Sequence, residues 1–170
     1  MSRKSITFNI HQNPLTMNND FLNIILADDD EDDRMLFHEA LDELAIKANL
    51  LLFKHGQELL NHLFEPQVEL PNVIFLDLNM PIKDGMQCLR EIRNNPKLKN
   101  VYIAIYSTSS SDSDIKNTFL NGASIYINKP NCFNKLKETI EKVLNLNWQK
   151  HTSHLNRDTF LFRMESHYEF

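Results

Sequence analysis

The sequence predicts an α/β fold: five βα units forming a doubly wound, five-stranded parallel sheet covered by helices on both faces. Three observations predict it. Short apolar runs alternate five times with stretches of helical periodicity between residues 21 and 146. The runs are close to continuously apolar, as in Val73-Ile74-Phe75-Leu76, which is how strands buried on both faces of a parallel sheet read. Most of the runs also stop at an acid, a hydroxyl or a lysine, and open α/β sheets keep their chemistry just beyond the carboxyl ends of their strands.

Taken in order, Phe21–Ala27 is the first strand and ends at Asp28-Asp29. Asp30 is a good N-cap for a helix reaching about Ala45, with acids in a first turn that suits the helix dipole and with Phe37, Leu41 and Leu44 on one face. Asn49–Lys54 is the second strand. A helix from Gly56 carries Leu59, Leu60, Leu63 and Phe64, and Pro66 and Pro71 bracket the loop into the third strand, Val73–Asp77. Met86–Arg93 is a short helix ended by Asn94-Asn95-Pro96. Val101–Tyr106 is the fourth strand and runs into Ser107. A helix over Asp112–Leu120 stops at Asn121-Gly122, a normal C-terminal signal. Ser124–Asn128 is the fifth strand, Lys129-Pro130 a turn, and Cys132–Leu146 the last helix, with Phe133, Leu136, Ile140 and Val143 inward. Right-handed crossovers leave few topologies, and the flavodoxin-like order 2-1-3-4-5 is the natural one.

The 170 residues favour one domain with a core of its own, and the hydrophobic fraction of 42% and charged fraction of 24% are those of an ordinary globular chain. A net charge of −5 without a basic block argues against nucleic acid as a partner. Cys88 and Cys132 have no metal spacing and read as free thiols in a reducing compartment, a disulfide being the poorer reading. No apolar run approaches the ~18 residues that span a bilayer, and the N-terminus lacks the apolar core of a secretory signal. The expected location is cytoplasmic, with no membrane partner.

In the predicted topology Asp28, Asp29, Asp77, Ser107 and Lys129 converge on one crevice. Three carboxylates repel unless cations intervene. Lys129 supplies one positive charge and a divalent metal two more, and Mg2+ is usually held by a few protein oxygens with water completing the shell. The remaining partner is expected to be anionic, and a phosphoryl group fits, since its transfer needs positioning and neutralisation above all. Asp77 would attack phosphorus, Mg2+ and Lys129 would neutralise the phosphoryl oxygens, and Ser107 would donate to one of them.

Four motifs carry a family resemblance over about residues 22–146: Leu26-Ala27-Asp28-Asp29-Asp30, then Phe75-Leu76-Asp77-Leu78-Asn79-Met80-Pro81 with Asp84-Gly85, then Ser107-Thr108, then Tyr126-Ile127-Asn128-Lys129-Pro130. Ser107 follows Asp77 by 30 residues and Lys129 follows it by 52. The chain resembles the receiver domain of two-component response regulators, of the stand-alone, chemotaxis-regulator-like type. The resemblance implies a receiver over residues 21–147, with Asp77 as phosphoacceptor. It implies Asp29 as direct metal ligand, Asp28 acting through water, the Asn79 backbone carbonyl as a further ligand, Ser107 and Tyr126 as a switch pair, and a cis Lys129–Pro130 bond. The stretch around Glu65–Leu70 is longer than in the shortest receivers. Thr108-Ser109-Ser110 and Asn131-Cys132-Phe133 resemble small receivers that serve phytochrome-type and hybrid histidine kinases.

The implied function is a single-domain response regulator that takes a phosphoryl group from a histidine kinase, or from a hybrid kinase or phosphotransfer protein, and signals by contact with an unknown downstream protein; a homodimer stays open. It is not expected to be an enzyme beyond self-phosphorylation and autodephosphorylation. Alternatives are a phosphorelay intermediate or phosphate sink, a non-reacting pseudo-receiver, and a haloacid-dehalogenase-type phosphatase. The last would want an acid where Asn79 stands. Plainer readings exist too: Asp30–Asp33 as a solvated helix start, Tyr126 as a half-exposed strand aromatic, His38 as a solvated histidine, and His151 with His154 as too few ligands for a metal. Residues 1–20 read as a flexible extension in which Ile6, Phe8 and Ile10 alternate and Met17 is a second candidate start. Residues 148–170 read as a tail with a short strand over Thr159–Met164, Phe160, Phe162 and Met164 on one side and Trp148 docking it. The 24 residues after Leu146 are too few for an output domain.

Overall fold

The strands pair in parallel in the order β2-β1-β3-β4-β5, where β1 is Leu22–Ala27, β2 Ala48–Phe53, β3 Val73–Leu76, β4 Tyr102–Ser107 and β5 Ile125–Asn128. The computed structural model describes residues 21–163; the expectations for residues 1–20 and for Met164 lie outside the described residues. Helices α1 (Glu31–Asp42), α2 (Gly56–Leu63), α3 (Gly85–Asn94), α4 (Asp112–Leu120) and α5 (Phe133–Leu144) connect and follow the strands, and α6 (Trp148–Ser153) and α7 (Arg157–Phe160) come after them. Among the described residues, no helix is long and apolar enough to cross a membrane.

The period-2 geometry of a strand sends alternate side chains to opposite faces of the sheet. Ile25, Ile74, Ile103 and Tyr126 therefore pack on one side with Leu59, Leu89 and Ile92, and Leu26, Phe75, Tyr106 and Ile127 pack on the other with Phe37, Leu136 and Ile140. Each fully buried Leu or Ile contributes about 1.5–3 kcal/mol. Phe37, Phe75 and Tyr106 meet edge-on, with centroids 4.9, 5.8 and 6.3 Å apart, directly beneath the carboxyl ends of β1 and β3. The strand β2, which among the described residues pairs only with β1, is less covered, and Leu51 and Leu52 are exposed.

The helix signals act locally as the residue types demand. Asp30 accepts the amides of Asp32 and Asp33 at the start of α1, and Asp84 forms a capping box with Gln87 at the start of α3. Gly122 ends α4 with a φ of 85°, where a side chain would be strained.

The C-terminal segment departs from the expected alternating strand. Asn156 and Thr159 form a capping box that winds Arg157–Phe160 into a helical turn, so the alternation is interrupted. One parallel bridge remains, between Leu161 and Tyr126 on the free flank of β5. Phe160 and Phe162 consequently pack with opposite faces of the sheet instead of sharing one. Trp148 does dock the segment, its ring stacked on Tyr102 at 4.9 Å.

Candidate functional site

Strand register brings the candidate side chains to one end of the sheet. Ala27 lies opposite Leu76 and Leu76 opposite Ile105, while β4 and β5 run two residues further to the paired Ser107 and Asn128, so all four strands end on the same side of the sheet. Asp77 follows β3, with its amide bonded to Ala27 O (2.9 Å), and Asp28 follows β1, with its amide bonded to Phe53 O (3.0 Å). Lys129 follows β5 and donates its amide to Ser107 O (2.9 Å). The loop after Asp77 folds back tightly: Gly85 donates its amide to Leu78 O, and a Cβ at Gly85 would stand 2.0 Å from Asp77 O, so only glycine allows α3 to start there.

Asp28, Asp29 and Asp77 each offer a carboxylate oxygen, all within 4.8 Å of one another; Asp28 and Asp77 are buried and Asp29 is exposed. Asp77 Oδ1 accepts the Asn79 amide at 3.4 Å, and Asp28 Oδ1 accepts that of Asp30 at 3.1 Å. Lys129 Nζ reaches Asp28 Oδ2 and Asp33 Oδ2 at 2.8 Å each and Asp77 Oδ2 at 3.4 Å. The contact with Asp28 is a buried ion pair, with Lys129 Nζ as the cation that faces Asp28 Oδ2.

Burial pushes the Asp28 carboxyl up to about 6 although Lys129 pulls it down. For Lys129 burial acts to lower the value, but the hydrogen bonds and charges of Asp28, Asp33 and Asp77 outweigh it and hold the ammonium above its usual range. Its Nζ also lies 5.5 Å above the Tyr106 ring. The cluster is thus short of positive charge. All its ligand atoms are oxygens, the set that Mg2+ and Mn2+ take, and two of the three clustered carboxylates are buried. The residues fit a divalent cation.

Asp33 was not among the expected site residues. An acid in a first helical turn already has a reason in the dipole, so the sequence does not flag it. The usable signal is that α1 starts three residues after Asp28, which keeps its first turn at the crevice. With Asp33 included, four carboxylates face one lysine, and a divalent ion leaves one negative charge over where the sequence reading balanced to zero.

The hydroxyl candidates are linked to each other. Ser107 is fully buried, and its Oγ accepts the Ser109 amide at 3.2 Å. Tyr126 is also fully buried rather than half-exposed, and its OH donates to Ser109 O at 2.9 Å. Burial pushes the Tyr126 phenol up. The Lys129–Pro130 bond is trans, contrary to expectation; trans is the lower isomer of an X–Pro bond by about 0.5–1 kcal/mol. Cys88 is a buried core thiol, pushed up to about 12 by burial, and no nucleophile. His151 bonds Ser124 O while His154 bonds Lys150 O and Ser153, so the two do not converge.

A cavity of about 470 Å3 adjoins the site, lined by Asp33, Leu36, Tyr106, Lys129, Cys132 and Phe133. A second cavity, about 560 Å3 and lined by Arg93, Tyr102, Ser124 and Gln149 among others, lies at the opposite end of β4 and β5 and has no part in this chemistry.

Comparison with known proteins agrees with this geometry. The model of the response regulator receiver domain family matches residues 24–141. Response regulator Rcp1 of Synechocystis is 32% identical over 111 residues, covering 62% of this chain and 75% of that protein. The probable methanogenesis regulatory protein FilR2 of Methanothrix harundinacea is 28% identical over 123 residues, covering 71% and 79%. Among solved structures, the phosphorylated cyanobacterial phytochrome response regulator RcpA superposes with a TM-score of 0.68 at 28% identity, over 72% of this chain and 91% of that one. The Mn2+-bound form of Rcp1 gives a TM-score of 0.66 at 28% identity, over 72% and 91%.

Proposed function

Because this chain belongs to the response regulator receiver domain family, whose members act in two-component signalling, we propose that it accepts a phosphoryl group on Asp77 from the phosphohistidine of a histidine kinase, hybrid kinase or phosphotransfer protein. The observation that carries the reading is the buried Asp77 carboxylate, 3.4 Å from Lys129 and beside two further carboxylates at the carboxyl end of the sheet. An Asp77 oxygen bonds to phosphorus as the P–N bond to imidazole breaks, and the leaving imidazole takes a proton from solvent. Lys129 holds the transferred oxygens, and the Ser107 hydroxyl donates to one of them. Asp29, Asp77 and the Asn79 carbonyl would hold Mg2+ directly and Asp28 through water. When bound, the ion supplies two positive charges against the phosphoryl oxygens.

The carrier must approach over the rim of the site. Met35 and Leu36 on α1 and Ile82 after Asp77 are exposed apolar side chains on the elements that form it, a fitting landing surface for a helical phosphohistidine carrier. The phosphorylated carboxyl draws Ser107 toward it and favours the inward Tyr126 bonded to Ser109 O, a two-state shift driven by one local charge. Output is then by protein contact in the cytoplasm.

The test is incubation with acetyl phosphate or beryllofluoride and Mg2+, comparing wild type with Asp77→Asn by intact mass and calorimetry. A labile adduct on the wild type alone is expected. An unlabelled wild type, or a mutant that still labels, ends the reading. Transfer back from phospho-Asp77 to a phosphotransfer histidine would favour the phosphorelay intermediate instead.

A further inference from the structure

The segment after α5 is built into the sheet at the residue that the proposed switch depends on. Leu161 bridges Tyr126 on the free flank of β5, and the Phe162 amide donates to Tyr126 O at 2.8 Å. Phe160 is fully buried, its ring 6.2 Å from that of Tyr126 and 5.2 Å edge-on to Phe119 of α4. At the other end of the segment Trp148, the chain's single tryptophan, stacks on Tyr102 and is fully buried. Tyr126 thus has Ser109 O on its hydroxyl, Phe160 beside its ring and Phe162 on its backbone. Ser109 in turn leads back to Ser107 Oγ. An outward Tyr126 would have to displace Phe160, so the docked segment and the inward tyrosine belong to one state.

We propose that residues 148–162 are an intramolecular ligand of the β5 edge and α4, and that their docking and the phosphoryl occupancy of Asp77 strengthen each other. The inference rests on the receiver reading above. In that reading phosphorylation favours the inward Tyr126; the docked segment favours it as well, and coupling between two sites is reciprocal. The segment also occupies the flank of β5 on which an extended partner peptide would add, so it competes with any partner that reads the α4–β5 face.

The experiment titrates beryllofluoride in the presence of Mg2+ into the full chain, Phe160→Ala and Phe162→Pro, and follows hydrogen exchange at the Phe162 amide of the full chain. Phe162→Pro removes the amide that bonds Tyr126 O together with the ring that packs on the opposite face of the sheet from Phe160. Leu161, at φ −79° and ψ 111°, already has the extended backbone that a following proline requires, so this variant folds even where Phe160→Ala does not. Both variants are expected to bind beryllofluoride at least about fivefold more weakly, and beryllofluoride to slow Phe162 exchange in the full chain at least about fivefold. Equal affinity in the full chain and the folded variants overturns the coupling while leaving the receiver reading intact. A full chain that binds no beryllofluoride overturns both. Exchange that slows with protein concentration assigns the docked segment to a second copy and overturns its intramolecular character.

Discussion

Lys129 Nζ lies 2.8 Å from Asp33 Oδ2, closer than to Asp77 at 3.4 Å, although 96 residues separate the lysine from Asp33. Asp33 therefore draws the lysine away from the proposed phosphoacceptor and adds a negative charge to a site that must receive an anion. Asp33→Asn is expected to release Lys129 toward Asp77 and to raise beryllofluoride affinity about 1.5- to 5-fold, the range of a partly exposed ion pair. Lys129→Ala is expected to lower it sharply. Calorimetry at fixed Mg2+ checks both, and a weaker-binding Asp33→Asn would give Asp33 a supporting role instead.

Asp28 makes the metal-free fold pH-dependent. Its value rises from 3.8 to about 6 on folding, so between those pH values the folded chain binds the extra proton. Stability from this group is present below about pH 4, falls as pH rises through about 6, and is fully lost above it. Asp28→Asn removes that cost. In EDTA the variant is expected to melt above wild type at pH 7.5, by at most about 3 kcal/mol, with the gap closing toward pH 4. With Mg2+ the order is expected to reverse, because wild type keeps the carboxylate that supports the ion. Melting curves on both proteins, with and without metal, across this pH range decide the matter.

Ile82 is held at a φ of 68°, a left-handed backbone that suits a β-branched residue poorly, and its side chain is 77% exposed. Strain of this kind costs about 1–3 kcal/mol, and no burial offsets it. Ile82→Gly is expected to raise the melting temperature by a few degrees while weakening phosphotransfer from a cognate kinase, since Ile82 stands on the proposed landing rim. Differential scanning calorimetry and a phosphotransfer assay test the two halves separately.

Trp148 is expected to separate packing from hydrogen bonding. Its indole nitrogen is buried without an acceptor among the described residues. Trp148→Ala should cost about 3–5 kcal/mol through lost burial, whereas Trp148→Phe keeps an aromatic ring on Tyr102, discards the unsatisfied N–H and should cost less than half as much. Urea denaturation of the two variants measures the difference; equal losses would point to an unseen partner for the indole.

The strand runs and their order were legible because a parallel sheet writes itself as apolar blocks: Val73–Leu76 cannot be exposed, and Asp77 after it cannot be core. Helix limits were legible to a residue or two where a cap signal stood, as with Asp30 and Gly122. Three things were not. Asp33 joins the crevice through a contact that only the folded chain creates. Phe160 and Phe162 stand at strand spacing in the sequence, but the Asn156–Thr159 capping box winds Arg157–Phe160 into a helical turn. The depth of Tyr126 depends on the same turn, since Phe160 and Leu161, which pack with Tyr126, come from the segment beyond α5. Local signals carry local geometry, and these three are long-range consequences.

The bridge from Leu161 to Tyr126 makes the two margins of the sheet unequal. Chain already lies against the β5 margin, while among the described residues no strand pairs with the outer flank of β2, where Leu51 and Leu52 are exposed. A sheet with two open margins can propagate copy upon copy; one with a single open margin can join once and then stop. Among the described residues the β2 margin is thus the one left for edge-to-edge pairing, and undocking the C-terminal segment would open the β5 margin as well.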